Sequence, residues 1–450
     1  MKEYKNIFFI GIGGIGMSAL ARYFHSVGKS VYGYDRHQSE LTLELEKMDM
    51  SIHYTDSLDN IPSSITQENT LVVITPAIPK SHSEWNYFIL NGFTIQKRAE
   101  VLGLITKDTY CFAVAGTHGK TTTSSILGHI LYQSGVDVTA FVGGIVENYH
   151  SNLIGNGKTV TVVEADEFDR SFLKLHPDVA CVNSMDADHL DIYGDKSHIE
   201  ESFLEFASMV QDSSKLFCPT ELELNATKVG FSDSDTIQAY NIRIENGAYV
   251  FDVRVNQKHI KDLRFHLPGK HNLSNALMAL SMAKSYGVSD ENIRKALDSF
   301  KGIQRRFSYK IKTDEVVLID DYAHHPTEIN AVYQAVKEMY PSKKNLGIFQ
   351  PHLFSRTKDF LDGFSSSLSQ FDEVILLDIY PARELPIPGV NSELLLDKIS
   401  NPNKKLVSKA ELYNSVLKSD AQIIVVIGAG DIGEMVEPLK EKIEEKFSIK

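Results

Sequence analysis

A short segment between two apolar stretches carries the residue types that bind the phosphates of a nucleotide. An apolar run, Tyr110 to Ala115, ends at Gly116, and Gly119-Lys120-Thr121 then opens a helical pattern. Backbone N–H groups in such a loop bind phosphate oxygens, the lysine neutralises the β/γ-phosphates, and the threonine hydroxyl reaches Mg²⁺. The strict pattern has glycine where this chain has Val114. The segment is therefore a variant phosphate loop, and the alternative is an ordinary glycine turn before a helix.

A second glycine-rich turn lies near the start of the chain. Gly11 to Gly16 satisfies G-x-G-x-x-G after the strand pattern Asn6 to Ile10, and Asp35 follows 19 residues after Gly16. This spacing is typical of a turn that places a pyrophosphate on a helix N-terminus. A nicotinamide dinucleotide and a UDP-sugar both carry that group, and a tight turn without a ligand is the structural alternative.

Acidic and imidazole groups follow two later strand patterns. Glu164 and the pair Asp188-His189 are candidate Mg²⁺ ligands, since Mg²⁺ favours one or two carboxylates together with phosphate oxygens and water. Asp and His at strand ends also serve as helix caps and turn formers, which is the structural alternative.

Amide and guanidinium groups near residues 270 and 305 also have both a ligand-binding and a purely structural interpretation. Residues 269–275 precede an alanine-rich helix, which His271 and Asn272 could cap, while Asn272 and Asn275 could instead contact a purine. Arg305 and Arg306 could reach phosphates from a hinge or form surface ion pairs.

The elements that must position these groups alternate between strand and helix along the chain. This alternation predicts an α/β protein with parallel sheets, divided into sections 1–107, 108–308 and 309–450. Polar clusters directly follow apolar strands, where ligands bind in open parallel sheets. These clusters are 164–167, 183–189, 321–325, 350–356 and 428–431.

Composition excludes several function classes. The net charge of −13 disfavours nucleic-acid binding, and no apolar run approaches the length of a membrane span. The three widely spaced cysteines predict free, buried thiols in a reducing cytosol. We expect a cytoplasmic protein, a monomer or weak homodimer, with small-molecule substrates and neither a nucleic-acid nor a membrane partner.

Taken together, the motifs resemble those of the Mur ligases, the ATP-dependent amide ligases that build the peptidoglycan precursor. The matching segments are 116–122 (Gly-Thr-His-Gly-Lys-Thr-Thr), 164–167, Asn183 with 188–189, 269–275 (Gly-Lys-His-Asn-Leu-Ser-Asn), 305–307 and 321–328. The resemblance covers the whole chain in order. It implies an N-terminal Rossmann-like UDP-binding domain, a central P-loop ATPase domain and a C-terminal Rossmann-like domain that binds an amino acid.

The resemblance also implies roles for individual residues. ATP would be bound by Gly116, Thr117, His118, Gly119, Lys120, Thr121, Thr122, Asn272, Asn275, Arg306 and Asp321. Mg²⁺ would be held by Thr121, Glu164 and His189. The UDP-sugar would contact Gly11, Gly13, Gly14, Gly16, Met17, Ser18, Asp35 and Thr75.

The incoming amino acid would face Tyr322, His324 and Arg356, and the groups nearest the chemistry would be Lys120, Glu164, His189, His324 and Arg356. His324 is a candidate proton acceptor for the ammonium group of the amino acid, because its ordinary pKa lies near neutral pH. Many family members have arginine where this chain has Leu353. Arg356 therefore acts on the carboxylate alone or with another basic residue.

The opening Gly11 to Ser18 is most similar to that of the family member that joins L-alanine to UDP-N-acetylmuramate through an acyl phosphate. A family member that attaches a recycled tripeptide to the same sugar nucleotide is the nearest alternative. An NAD(P)-dependent oxidoreductase is the alternative from another class, and a nucleotide-sensing regulator without turnover is a third.

Overall fold

The chain forms three sheets, and the central strands of each are short apolar runs that are almost entirely buried. The computed structural model describes residues 4–185, 196–382 and 384–449. His189, Asp186 and Asp188 lie outside these residues. The α/β class with three domains is confirmed, and the predicted domain boundaries remain a prediction.

The N-terminal sheet has five parallel strands in the order β3-β2-β1-β4-β5. Helices cover its faces, which is why the residues of β1 and β4 are buried throughout. Its strands are β1 Asn6–Ile10, β2 Ser30–Tyr34, β3 Ser51–His53, β4 Thr70–Ile74 and β5 Thr94–Lys97, and its helices are α1 Ile15–Ser26, α2 Glu40–Lys47, α3 Ser83–Leu90 and α4 Arg98–Lys107.

The central sheet has ten strands in the order β15-β14-β13-β12-β11-β10-β6-β9-β7-β8. The edge strand β8 runs antiparallel to β7, which departs from the all-parallel expectation. Its strands are β6 Tyr110–Ala115, β7 Val138–Val146, β8 Ser151–Ile154, β9 Val160–Ala165, β10 Val179–Val182, β11 Leu216–Cys218, β12 Thr227–Gly230, β13 Ile237–Glu245, β14 Ala248–Val255 and β15 Lys258–Phe265. The accompanying helices are α5 Lys120–Gln133, α6 Lys196–Ser208, α7 Lys270–Ser285 and α8 Asp290–Ser299.

The C-terminal sheet has six strands in the order β16-β17-β21-β18-β19-β20, and β16 is antiparallel to β17. Its strands are β16 Ser308–Lys312, β17 Val317–Asp321, β18 Asn345–Phe349, β19 Glu373–Leu376, β20 Lys404–Leu406 and β21 Ile423–Ile427. Its helices are α9 Pro326–Met339, α10 Phe354–Asp359, α11 Leu361–Leu368, α12 Ser392–Lys398, α13 Lys409–Leu417 and α14 Val436–Phe447.

The described residues form two compact units. One comprises 1–243, 250–265 and 274–300, and the other comprises 244–249, 266–273 and 301–450. An apolar core in the first unit joins residues of the N-terminal and central sheets, whereas two clusters pack on the C-terminal sheet. All three cysteines are free and buried. Within the described ranges, no helix has the length and apolar character needed to cross a bilayer.

One buried histidine gives the first unit a predictable response to acid. The His129 side chain on α5 lies 2.7 Å from the Tyr149 hydroxyl through Nδ1 and 3.0 Å from Ser299 Oγ through Nε2. Burial lowers the pKa of His129 to about 4. The unfolded chain takes up this proton below its ordinary pKa near 6.5, while the folded chain stays neutral down to about pH 4. Stability from this site is therefore present at neutral pH and lost as pH falls.

We expect the wild type to lose about 2 kcal/mol more stability than His129→Gln on going from pH 7.5 to pH 5. Urea unfolding at both pH values measures this difference, and the glutamine variant controls for the carboxylates that titrate in the same range. Equal losses in both proteins would show that His129 is protonated in the folded state.

Candidate nucleotide and substrate sites

The phosphate loop lies at the edge of the central sheet where three strands end together. Ala115 at the end of β6 pairs with Ala165 on β9 and with Val182 on β10. The segments that follow these strands therefore start side by side. Together with the last residues of β9, they carry the loop, the acidic 164–167 motif and Asn183.

The loop backbone requires its glycines. Gly116 and Gly119 have φ values of 127° and 78°, which favour glycine over residues with a Cβ. A Cβ on Gly116 would lie 2.8 Å from the Ser184 nitrogen. The Ser184 hydroxyl lies 2.8 Å from Thr117 Oγ1 and accepts from the His118 N–H at 2.9 Å, so it fixes the turn of the loop.

Lys120, the first residue of α5, is held by an ion pair. Its Nζ donates to both carboxylate oxygens of Glu167, at 3.0 and 2.8 Å, and to the Gly116 carbonyl at 2.7 Å. Only 2% of Glu167 is exposed. A buried carboxylate therefore holds the lysine ammonium directly against the loop.

Immediately after Lys120, the hydroxyl groups of Thr121 and Ser124 lie close to the Glu164 carboxylate. Glu164 accepts from the hydroxyls of Thr121 and Ser124, each at 3.2 Å, and from the Gly143 N–H. Among the residues that the structure describes, no group of three or more His, Cys, Asp or Glu side chains is placed to hold a metal. Mg²⁺ needs few protein ligands beside phosphate oxygens and water, so the Thr121–Glu164 pair fits this ion. The third predicted ligand, His189, lies outside the described residues.

The two asparagines of the 269–275 motif have different surroundings. Asn275 Oδ1 accepts from Thr123 Oγ1 at 3.2 Å, and a Cβ on Gly119 would lie 2.4 Å from it. Asn275 therefore lies against the phosphate loop. Asn272 belongs to the second unit, where its Nδ2 donates to the Pro268 carbonyl at 2.7 Å.

The glycine-rich turn lies at the equivalent edge of the N-terminal sheet. Ile10 pairs with Tyr34 and Ile74, so Gly11, Asp35 and Thr75 follow neighbouring strand ends. Asp35 Oδ2 accepts from the Gly13 N–H at 2.7 Å and braces the turn.

Helix α1 begins directly after this turn. Gly14 is its N-cap residue and Gly16 lies in its first turn. Met17 is buried, and Asn152 Nδ2 donates to the Ser18 hydroxyl at 2.8 Å. The helix N-terminus is thereby fixed against the central sheet.

The residues predicted to face the amino acid gather at one edge of the C-terminal sheet. The His324 and Tyr322 rings lie 5.4 Å apart, and the His352 ring lies 6.3 Å from His324. Arg356 on α10 approaches His352 Nδ1 with Nη1 at 3.4 Å. Burial and the neighbouring Arg356 and His324 charges lower the pKa of His352. Leu353 adopts a positive φ of 73°, an uncommon conformation for this residue type.

The contacts of His324 assign its tautomer. Its Nδ1 lies 3.0 Å from the Tyr322 carbonyl oxygen, which can only accept, so Nδ1 carries the proton in the neutral ring. The Nε2 atom is then the basic nitrogen. Its lone pair suits the proton acceptor that the sequence predicts.

Asp321 braces the chain that enters this sheet. Its two oxygens accept from the N–H groups of Phe307 and Ala323, at 2.7 and 2.8 Å. Burial raises the pKa of Asp321 to about 7, against the effect of these donors and of Arg306. Arg306 itself donates its backbone N–H to the Ile303 carbonyl at 3.1 Å. The contact of Asp321 with the adenosine of ATP and the contact of Arg306 with ATP remain predictions.

Comparison with known proteins assigns the class of protein that these sites define. Three family models match: Mur ligase family, catalytic domain, over 6–110; Mur ligase middle domain over 114–283; and Mur ligase, glutamate ligase domain, over 305–444. The chain belongs to the Mur ligase family.

The chain is also similar to individual proteins of known name or structure. The chain is 65% identical over 447 residues to the UDP-N-acetylmuramate–L-alanine ligase of Flavobacterium johnsoniae, covering 99% of this chain and 100% of the relative. It resembles the solved UDP-N-acetylmuramate–alanine ligase of Thermotoga maritima with a TM-score of 0.82 and 29% identity, covering 99% and 100% of the two chains. A murein peptide ligase from Psychrobacter arcticus shares the fold, with a TM-score of 0.67 and 22% identity over 97% and 98%.

Several residues of these sites could not be assigned a role from the sequence alone. The sequence predicts no role for Glu167, although this residue lies in the 164–167 cluster, and none for Ser184, Ser124 or His352. The spacing Thr121-x-x-Ser124 places two hydroxyls on one helix face, and that signal was available in the sequence.

Proposed function

We propose that this chain joins L-alanine to the carboxylate of UDP-N-acetylmuramate, consuming ATP and releasing ADP and phosphate, in peptidoglycan precursor synthesis. The observation that carries the proposal is 65% identity along the full length of an L-alanine ligase. The murein peptide ligase is less favoured, because that likeness extends to the fold alone.

The reaction needs an activated carboxylate. An oxygen of the muramyl carboxylate attacks the γ-phosphorus of ATP, ADP leaves, and an acyl phosphate forms. The alanine amine then attacks the acyl carbon, and phosphate leaves from the tetrahedral intermediate. Since the carboxylate is already ionised, the first step depends on positioning and charge neutralisation more than on a base.

The central residues supply that neutralisation. Lys120, which pairs with Glu167 in this structure, would bind phosphate oxygens of ATP, and the loop amides would bind further oxygens. Thr121, Glu164 and His189 would hold Mg²⁺, which when bound neutralises charge on the phosphates. Asn275 lies against the loop, where it would support bound ATP.

The C-terminal residues receive the amino acid in this proposal. Arg356 would bind the alanine carboxylate, and His324 Nε2 would accept the proton that the ammonium group loses before attack. Tyr322, which is partly exposed, would form a wall of the same site.

Phosphate release measured with UDP-N-acetylmuramate, ATP and Mg²⁺ tests the proposal, with each amino acid supplied in turn. We expect release only when all components are present, with L-alanine the best acceptor. Reduction of NAD⁺ or NADP⁺ by any substrate, followed by absorbance, would instead support an oxidoreductase.

Replacement of Arg356 by lysine should weaken alanine selectively. A guanidinium makes two parallel hydrogen bonds to a carboxylate and an ammonium cannot, so we expect the alanine KM to rise about 10- to 100-fold. The KM values for ATP and UDP-N-acetylmuramate should change much less. Steady-state kinetics with each substrate varied in turn measures these effects.

Lys358→Gln on the same helix serves as the matched control, since Lys358 is exposed and has no assigned role. An Arg356→Lys enzyme with unchanged alanine KM and kcat, or with a larger effect on ATP, would remove Arg356 from the amino-acid site.

A further inference from the structure

A buried tyrosine holds the start of the 269–275 motif. Only 1% of Tyr249, the second residue of β14, is exposed. Its hydroxyl accepts from the Gly269 N–H at 3.1 Å and donates to the carboxylate of Glu338 on α9, and all three residues belong to the second compact unit. Burial and the hydrogen bond to Glu338 raise the pKa of Tyr249, so the hydroxyl keeps its proton. The phenol therefore links the backbone at Gly269 to α9.

The backbone at Gly269 also sets the start of α7. Gly269 has a φ of 92°, and a Cβ there would lie 2.6 Å from His271 Cε1, so this turn requires glycine. The Gly269 carbonyl accepts from the Asn272 N–H at 2.9 Å. The Asn272 side chain turns back along the chain and donates through Nδ2 to the Pro268 carbonyl at 2.7 Å.

One peptide unit connects the tyrosine to the asparagine. The Pro268 carbonyl and the Gly269 N–H are the two ends of the same peptide bond, which is planar. Tyr249 binds the N–H end and the Asn272 carboxamide binds the carbonyl end. The direction of the carbonyl that receives Asn272 is therefore fixed by the hydroxyl of Tyr249, and through it by Glu338.

We propose that Tyr249 and Glu338 are positioning residues for ATP, which hold Asn272 in the orientation that the nucleotide requires. Neither side chain touches the nucleotide. Without the Tyr249 hydroxyl the peptide unit is no longer held, so a smaller fraction of molecules has a segment competent to bind, and the apparent affinity for ATP falls by that fraction. The inference rests on the proposed function, because ATP is a substrate of that reaction and Asn272 is its predicted contact.

Tyr249→Phe removes only the hydroxyl oxygen and is the direct test. The full chain is titrated calorimetrically with Mg²⁺ and AMP-PNP, a non-hydrolysable ATP analogue. We expect the variant to have a Kd about 5- to 30-fold above that of the wild type, because the buried Gly269 N–H loses its partner. Binding of UDP should be unchanged. Tyr309→Phe is the matched control, since it removes a hydroxyl that contacts Tyr340 in the same unit, and it should bind AMP-PNP like the wild type.

Two substitutions at Glu338 test the pair. Glu338→Gln keeps an oxygen that can accept from the Tyr249 hydroxyl, so AMP-PNP binding should stay within about twofold of the wild type. Glu338→Ala removes the acceptor and should weaken binding, but it should add little in the Tyr249→Phe background. Because Glu338 is exposed, its alanine variant is expected to fold even if the tyrosine variant does not. An equal cost of Glu338→Ala in both backgrounds would show that Glu338 does not act through Tyr249.

Steady-state kinetics and thermal unfolding separate positioning from a purely structural role. Positioning predicts a higher ATP KM for Tyr249→Phe, with kcat and the alanine KM nearly unchanged. A hydroxyl that only stabilises the fold predicts a lower unfolding temperature with a wild-type ATP KM, and that result would overturn the proposal.

The outcomes also distinguish this inference from the proposed function. A wild-type chain that does not bind AMP-PNP would contradict the proposed function itself. If the wild type binds AMP-PNP and both Tyr249→Phe and Glu338→Ala bind it equally well, the proposed function stands and the two residues do not position the nucleotide.

Discussion

Replacing Lys120 with methionine is expected to lower the rate of phosphate release at saturating ATP by at least about a hundredfold. In the proposed mechanism the ammonium of Lys120 stabilises charge on the phosphoryl group as it transfers, and loss of such a group typically costs on the order of 3 kcal/mol of transition-state stabilisation. Initial rates with all three substrates saturating measure this effect.

The buried partner of Lys120 requires a second variant as a control. Methionine at this position leaves the Glu167 carboxylate buried without its ion pair, and breaking such a pair can cost about 3–5 kcal/mol of folding stability. In Lys120→Met/Glu167→Gln neither side chain is charged. We expect this double variant to unfold at a temperature close to that of the wild type and to remain inactive. A folded double variant with near-normal turnover would show that the loop does not bind the transferring phosphate.

The second large effect is expected at Glu164. Glutamine keeps an oxygen that can accept from the Ser124 hydroxyl and the Gly143 N–H, presents an amide nitrogen to Thr121, and removes the negative charge that would attract Mg²⁺. We expect kcat to fall about a hundredfold and the Mg²⁺ concentration for half-maximal rate to rise. Rates measured across a Mg²⁺ titration give both quantities.

Glu201→Gln on α6, an exposed position, is the control for a general loss of negative charge. If Glu164→Gln showed a wild-type Mg²⁺ requirement together with a normal kcat, Glu164 would not belong to a metal site.

The parts of the sites that depend on local sequence were predictable. Gly116 and Gly119 adopt positive φ values, so their places in the turn follow from residue type, and Lys120 and Thr121 follow by spacing. The same holds for the turn at Gly11, which has a φ of 90° and directly follows a buried strand.

The parts that depend on tertiary distance were not predictable from one sequence. Glu167 reaches Lys120 across 47 residues, and Tyr249 reaches Gly269 from a separate strand. Neither contact corresponds to a regular spacing along the sequence. Asn272 and Asn275 look equivalent in sequence, yet Asn275 lies against the phosphate loop, whereas the Asn272 amide donates to the Pro268 carbonyl. The antiparallel direction of the edge strands β8 and β16 could not be predicted either, because strand direction depends on the path of the connecting segments.

Direct competition between acceptors tests the central claim most sharply. The chain is supplied with ATP, Mg²⁺ and UDP-N-acetylmuramate, together with equal concentrations of L-alanine and the tripeptide L-Ala-γ-D-Glu-diaminopimelate. Mass spectrometry then identifies the UDP-linked product. Our account predicts that the L-alanine adduct forms in large excess, with one phosphate released for each adduct. A product dominated by the tripeptide adduct would contradict it and assign the chain to peptide recycling.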